Sequence, residues 1–147
     1  MCNVCGCTRI ERFKKPKLKM IVFTIFAIAE ACSLISGVWI NELGSTATLK
    51  ATQNGDLIGT YNSAVGKASG NYELRGRYDK KCDNPTLSFS VTWTNANETA
   101  DSSTAWVGTL FDNIDTIYTT WLLVSTVNST LDQWAATRIG TNVFTRK

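Results

Sequence analysis

The sequence contains no histidine. Without an imidazole it has neither a Ser/His/Asp triad nor a Cys/His pair for nucleophilic catalysis, and it cannot form the common zinc sites that mix cysteine and histidine. No glycine-rich segment matches a P-loop or a dinucleotide-binding fingerprint. Asp112 and Asp115 are neighbouring acids, but they fall at a predicted turn, where we expect solvation rather than acid–base work. We therefore expect no catalytic residues and no metal site.

The sequence also lacks an uninterrupted apolar run of the roughly 20 residues that a transmembrane helix requires. An apolar run from Met20 to Ala29 follows a basic segment and leads into Ala29-Glu30-Ala31, a small-x-small pattern. This order is typical of a secretory signal peptide. A signal anchor retained in the membrane is the alternative, but Glu30 interrupts the run. We predict a signal peptide over residues 1–31 and one secreted domain over 32–147, with no stable membrane association.

Positive charge is concentrated in this predicted leader. The formal net charge is +3, but six of the fifteen Lys and Arg residues lie before position 20, while two of the twelve acidic residues lie in the leader. The remaining domain has nine basic and ten acidic residues and is close to neutral. Because it has no basic surface for a phosphate backbone, we expect no nucleic-acid partner.

Cysteines and sequons fit an exported domain. Cys2, Cys5 and Cys7 precede the predicted cleavage point, whereas Cys32 and Cys82 follow it and would enter an oxidising compartment. Cys32 and Cys82 could pair with each other or bridge subunits, and the sequence leaves both pairings open. Two predicted N-glycosylation sites complete this set, namely Asn97 and Asn128.

Strand patterns dominate the domain. Thr86 to Trp93 alternates apolar and hydroxyl residues, which is typical of a strand buried on one face. Seven further β-rich runs are separated by turn residues, at 37–41, 46–51, 57–64, 72–79, 105–112, 116–127 and 137–145. No amphipathic helical stretch competes strongly with them.

Eight strands with short connections predict an all-β fold in which neighbours pair antiparallel. An eight-stranded up-and-down β-barrel removes the exposed sheet edges that promote aggregation. A two-sheet sandwich is the structural alternative. A barrel of this size is wide enough to hold one small ligand.

Five tryptophans fall on predicted strands or at strand ends: Trp39, Trp93, Trp106, Trp121 and Trp134. A single indole is more often core than ligand wall. Here, however, polar residues share the strand faces and adjoining turns, and each buried polar group without a partner costs about 1 to 3 kcal/mol. The combination favours a pocket with a polar ligand head or trapped water over a dry core.

Segments along the whole domain resemble the avidin and streptavidin family. Gly37-Val-Trp-Ile-Asn-Glu-Leu-Gly-Ser45 resembles the family's G-x-W-x-N-x-L-G-S opening, and Gly59 to Gly66 resembles its third-strand segment. Leu74 to Asp79, Thr120 to Leu123 and Trp134 to Arg146 resemble later strands in the same order. The resemblance implies a secreted homotetramer of barrels, each of which sequesters biotin at one end without catalysis and without a cofactor.

The resemblance also implies a role for individual side chains. Three donors would meet the ureido oxygen of biotin: Asn41, Ser45 and Tyr61. Ser63 and Asn142 would accept hydrogen bonds from the two ureido N–H groups. An aromatic box around the rings of biotin would be formed by Trp93, Trp106 and Trp121. The Thr104 hydroxyl would face the sulfur. Trp134 would reach from a neighbouring subunit to cap the pocket. Trp39 would lie beneath the pocket.

At the pocket mouth, the resemblance implies that the backbone N–H of Lys67 and the hydroxyl of Ser102 meet the biotin carboxylate. The Lys67 ammonium could pair with that carboxylate or point to water. Leu110 stands where family members carry the partner of an N-terminal cysteine, so Cys32 must find another partner or stay free. A lipocalin-like carrier of another small apolar ligand and a barrel without binding function are the competing hypotheses.

Overall fold

The computed structural model describes residues 34–65, 70–81, 83–94, 100–111 and 114–147. These residues form eight strands: β1 (Gly37–Asn41), β2 (Thr46–Ala51), β3 (Asp56–Asn62), β4 (Asn71–Tyr78), β5 (Thr86–Thr94), β6 (Ala100–Phe111), β7 (Thr116–Ser125) and β8 (Thr137–Arg146). Each strand pairs antiparallel with the next, and β8 pairs with β1 to close the barrel. The up-and-down barrel is confirmed, and the two-sheet sandwich is wrong.

The topology divides the barrel into two ends. Strands β1, β3, β5 and β7 all finish at the same end, which we call the upper end. The connections from each of these strands to the next therefore meet there. Strand β1 starts, and β8 finishes, at the opposite, lower end.

Alternation along the strands fills the barrel interior. On β5, Leu87, Phe89 and Val91 are buried, whereas Thr86 and Ser90 are exposed, as the hydroxyl and apolar alternation predicts. The buried residues of all eight strands form one continuous core. The outward hydroxyl groups meet water, so the strand needs no second apolar layer.

Trp39 and Arg146 close the lower end. The Trp39 indole is fully buried, and its Nε1 donates to the Ile35 carbonyl at 2.8 Å. The Arg146 guanidinium lies 4.4 Å from the centre of the Trp39 ring and donates to Asp115 Oδ1 at 2.9 Å and to the Ser36 carbonyl at 3.0 Å. Trp39 is thus part of the buried core at the lower end of the barrel.

The start of β6 and the position of Trp134 differ most from the predictions. Strand β6 begins at Ala100 instead of residue 105, because its first residues are polar and give no apolar alternation, yet pair with β5 through their backbone. Trp134 lies on a 3₁₀ helix, Thr130–Ala135, and not on a strand or at a strand end. Ser129 caps this helix by accepting a hydrogen bond from the Leu131 N–H at 3.2 Å.

Several sequence predictions fall outside the described residues. These are the leader over residues 1–31, Cys32, Cys82 and the sequon at Asn97. Within the described ranges, no helix has the length and apolar character needed to cross a membrane. The same part of the chain contains no cluster of three or more metal-ligating side chains.

Candidate ligand-binding site

Asn41 supplies an oriented donor at the upper end. It ends β1 and is buried, and its Oδ1 accepts hydrogen bonds from the backbone N–H groups of Leu43 at 3.1 Å and Ser45 at 2.8 Å. A short amide side chain that binds the backbone of its own turn is a common turn device. Because Oδ1 is occupied in this way, Nδ2 is the group that Asn41 can offer to a ligand.

Ser45 and Tyr61 form a hydroxyl pair beside Asn41. The Ser45 Oγ accepts from the Ala64 N–H at 3.0 Å, and its hydroxyl lies beside the Tyr61 phenol. Burial raises the pKa of Tyr61 and the nearby negative charge of Glu42 raises it further, whereas the neighbouring Ser45 hydroxyl lowers it and only partly opposes them. The phenol therefore keeps its proton at neutral pH and can act as a donor.

An aromatic wall, formed by Trp93, Trp106 and the rings that they contact, lies next to these hydroxyls. Trp106 is buried and stacks between Tyr61 and Phe89, with ring centres 5.0 and 5.1 Å away. Trp93 is half-buried and meets Tyr61 and Tyr72 edge to face at 5.6 and 5.0 Å. Such stacked and edge-on contacts hold the rings rigidly in place.

Polar side chains on β6 and β8 fix the two indoles of this wall. Trp93 Nε1 donates to Thr104 Oγ1 at 2.8 Å, and Trp106 Nε1 donates to Asn142 Oδ1 at 3.0 Å. Both acceptors are buried. Each indole N–H is thus satisfied within the site, and the polar and aromatic residues form one network.

Glu42, in the turn after β1, links this network to the neighbouring strand β8. Its Oε1 accepts from Asn142 Nδ2 at 2.7 Å and its Oε2 accepts from the Val143 N–H at 2.9 Å. Burial would raise the pKa of Glu42, but the bonds from Asn142, from Val143 and from its own backbone N–H outweigh burial and lower it. The carboxylate is therefore ionised at neutral pH and accepts on both oxygens.

Trp121 occupies space that a glycine leaves open. Trp121 on β7 is opposite Gly140 on β8, and a Cβ added at Gly140 would lie 2.4 Å from Cζ2 of the indole. Two carbon atoms that are not bonded to each other do not come this close in a packed protein, so a side chain at position 140 would force the indole to move. The absence of a side chain at position 140 therefore sets the position of the half-buried Trp121 ring.

Other predicted site residues lie apart from this network. The Ser63 hydroxyl is in a local turn, where it donates to the Val65 carbonyl at 2.8 Å and accepts from the Val65 N–H at 3.3 Å. Ser102 is half-buried on β6, opposite Trp93 on β5. Trp134 is 83% exposed on its 3₁₀ helix. Lys67 lies outside the described residues.

Three residues of the site were missed at the sequence level: Glu42, Tyr72 and Phe89. Tyr72 and Phe89 lie on strand faces whose alternation marks them as inward-facing, so the period-two pattern could have identified them. Glu42 carries no such signal. It is an exposed turn residue whose partner Asn142 is 100 positions away.

A closed barrel with converging polar side chains beside an aromatic wall at one end defines a small-ligand-binding barrel. The chain matches the model of the Avidin family over residues 29–147 and belongs to this family. Avidin of Gallus gallus is 38% identical over 127 residues, which cover 80% of this chain and 80% of that protein. Avidin-related protein 4/5 of Gallus gallus is 35% identical over 143 residues, which cover 89% and 92%.

A solved structure gives the same fold. The crystal structure of xenavidin matches with a TM-score of 0.68 and 32% sequence identity, covering 77% of this chain and 97% of that one. The agreement extends the family assignment from sequence to three dimensions.

Proposed function

We propose that this protein binds biotin non-covalently at the upper end of its barrel and sequesters it, without catalysis and without a cofactor. The observation that carries the proposal is the meeting of three potential donors, Asn41, Ser45 and Tyr61, at the edge of the aromatic wall. Membership of the Avidin family supports the same ligand.

The donor group suits the ureido oxygen of biotin. That oxygen carries partial negative charge, and donors that are already oriented stabilise such charge without reorganisation. Asn41 has its amide fixed by the β1–β2 turn, and Tyr61 remains protonated at neutral pH. An apolar ligand of the same shape would bind more weakly than biotin, because it would leave all three donors without a hydrogen-bond acceptor.

Acceptors for the two ureido N–H groups come from Asn142 and Ser63. Asn142 presents Oδ1, which has a second lone pair beyond the one that Trp106 uses. Ser63 would exchange its bond with Val65 for one with the ligand. Thr104 accepts from Trp93 and so keeps its own hydrogen for the sulfur of biotin.

The indoles supply the apolar contact. Each of Trp93, Trp106 and Trp121 would contribute about 1.5 to 3 kcal/mol by burying biotin ring surface against its own. The backbone N–H of Lys67 and the hydroxyl of Ser102 would receive the carboxylate. Asp115 pairs with Arg146 at the lower end and takes no part in this site, and Asp112 lies outside the described residues.

We further propose a secreted homotetramer in which Trp134 caps the pocket of a neighbouring subunit. The support is the exposure of Trp134 and of Leu131 on the same 3₁₀ helix, 83% and 82%, since large apolar side chains grouped in water often mark a contact surface. Asn128 is exposed just before this helix and is accessible to glycosylation. We also propose that residues 32–147 are exported after removal of the leader. In the exported protein, Cys32 or Cys82 would form a disulfide.

The test compares the unsubstituted protein with the double variant Asn41→Ala/Ser45→Ala in binding labelled biotin. Each lost partner costs about 1 to 3 kcal/mol, so we expect a loss of several kcal/mol in binding free energy. Thr48→Ala, a substitution on the outer face of β2, serves as the matched control. Unchanged affinity in the double variant would contradict the proposed ureido geometry.

A further inference from the structure

We propose that Glu42 is a positioning residue for ligand binding: it holds the Asn142 amide so that Oδ1, and not Nδ2, faces the ureido N–H of the ligand. The inference rests on the proposed function, because it concerns how one acceptor of the biotin site is oriented. It goes beyond that function by giving a role to a residue on the rim of the barrel that would not itself touch the ligand.

The need for such a residue follows from the shape of an amide. The oxygen and nitrogen ends of an asparagine side chain are nearly the same size but opposite in hydrogen-bonding character. A flipped Asn142 would present N–H groups to the ureido N–H, so a favourable contact would become a repulsive one. Steric fit alone does not choose between these two orientations.

Two neighbours choose the orientation because each has a single hydrogen-bonding character. The Trp106 indole N–H can only donate, and it points at Oδ1 from 3.0 Å. The ionised Glu42 carboxylate can only accept, and it receives Nδ2 at 2.7 Å. Flipping the amide would break both bonds and bring like groups together at both ends.

Glu42 is itself held in place by β8. Its second oxygen accepts the Val143 N–H at 2.9 Å, so the carboxylate bridges the side chain of Asn142 and the backbone of the next residue. The Thr119 hydroxyl donates to the Asn142 carbonyl at 2.9 Å, which fixes the backbone but leaves the amide free to rotate. Among the residues described, only Glu42 and Trp106 bond to the Asn142 amide.

The experiment measures dissociation of labelled biotin from the unsubstituted protein and from Glu42→Ala and Glu42→Gln. Loss of an oriented acceptor should speed dissociation by about 10- to 100-fold in Glu42→Ala. The glutamine in Glu42→Gln has nearly the same volume as glutamate, but it can accept from only one of the two donors, Asn142 Nδ2 and the Val143 N–H, at a time. We therefore expect a smaller increase in the dissociation rate for Glu42→Gln than for Glu42→Ala. Glu73→Ala, which removes an exposed carboxylate that pairs with Arg75 on β4, should dissociate like the unsubstituted protein.

A double-mutant cycle separates positioning from a general structural role. If Glu42 acts through the Asn142 amide, Glu42→Ala should change dissociation by less than about 2-fold when Asn142→Ala is already present. The same loss in both backgrounds, or no loss in either Glu42 variant, would overturn the inference. A failure of the unsubstituted protein to bind biotin would instead overturn the proposed function, and the inference with it.

Discussion

Trp106 donates its indole N–H to Oδ1 of Asn142 across 3.0 Å and thereby joins the aromatic wall to the polar half of the site. The Nδ2 of the same amide donates a hydrogen bond to the Glu42 carboxylate. A ring from β6, an amide from β8 and a carboxylate from the β1–β2 turn thus form one chain of hydrogen bonds.

Trp106→Phe removes the indole N–H but keeps an aromatic ring between Tyr61 and Phe89. We expect a loss of about 1 kcal/mol in the free energy of unfolding, the usual net contribution of one hydrogen bond. Trp106→Ala should cost more, about 3 to 5 kcal/mol, because it also leaves a cavity. Urea unfolding of the ligand-free protein measures both values, and equal losses would contradict the assigned bond and stacking.

Gly140→Ala should displace the Trp121 indole, since the added Cβ would lie 2.4 Å from Cζ2. We expect destabilisation of about 1 to 3 kcal/mol, typical of overpacking, and a red shift of tryptophan fluorescence as the ring moves into water. The matched experiment repeats Gly140→Ala in a Trp121→Ala background, where the cost should largely disappear. A cost that persists there would mean that the strain lies elsewhere.

Acid should destabilise the fold through Glu42 and Asp79. Burial would raise the pKa of Asp79, but bonds from the Thr86 hydroxyl and N–H and from the Lys81 N–H, with the charge of Lys81, lower it. Both carboxyls thus have a lower pKa in the folded state than their ordinary values of 4.5 and 3.8. Their contribution is present above these values and is lost as pH falls through the lowered folded pKa.

Urea unfolding of the unsubstituted protein between pH 7 and pH 3 should therefore show a fall in stability at the acid end. Glu42→Gln and Asp79→Asn should each flatten this fall, because neither amide titrates. The control is Glu73→Gln, whose carboxyl is exposed on the outer face of β4. Identical pH profiles for all four proteins would contradict the assigned carboxylate bonds.

Trp134→Ala should speed biotin dissociation while leaving the unfolding of the isolated barrel nearly unchanged, because the indole is 83% exposed within one chain. The physical reason is that a cap from a neighbouring subunit contributes only in the assembly. Sedimentation and biotin dissociation, measured on the same samples, test the two halves of this prediction. Unchanged dissociation from an intact tetramer would show that Trp134 is not a cap.

The sequence predicted the barrel well because period-two alternation and turn residues are local signals. All eight strands occur where expected, and most ends agree within two residues. The start of β6 was missed because a polar strand can be held by backbone pairing to β5 alone. The 3₁₀ helix carrying Trp134 was missed because six residues are too few to show a helical periodicity.

The site was predictable only in part. Asn41, Ser45 and Tyr61 lie in segments that resemble a family pattern, and in the structure the Ser45 N–H donates to Asn41 Oδ1 while the Ser45 hydroxyl lies beside the Tyr61 phenol. Glu42 occupies a variable position of that pattern. Its contact with Asn142 depends on barrel closure between β1 and β8, which no local stretch of sequence specifies.

The most direct measurement is a calorimetric titration of biotin into the purified protein, with octanoate as an apolar acid that lacks the ureido group. The account predicts saturable binding of biotin, competition with labelled biotin, and no comparable binding of octanoate. Octanoate binding without biotin binding would indicate a carrier of apolar ligands. Undetectable heat together with no competition by biotin would contradict the central claim.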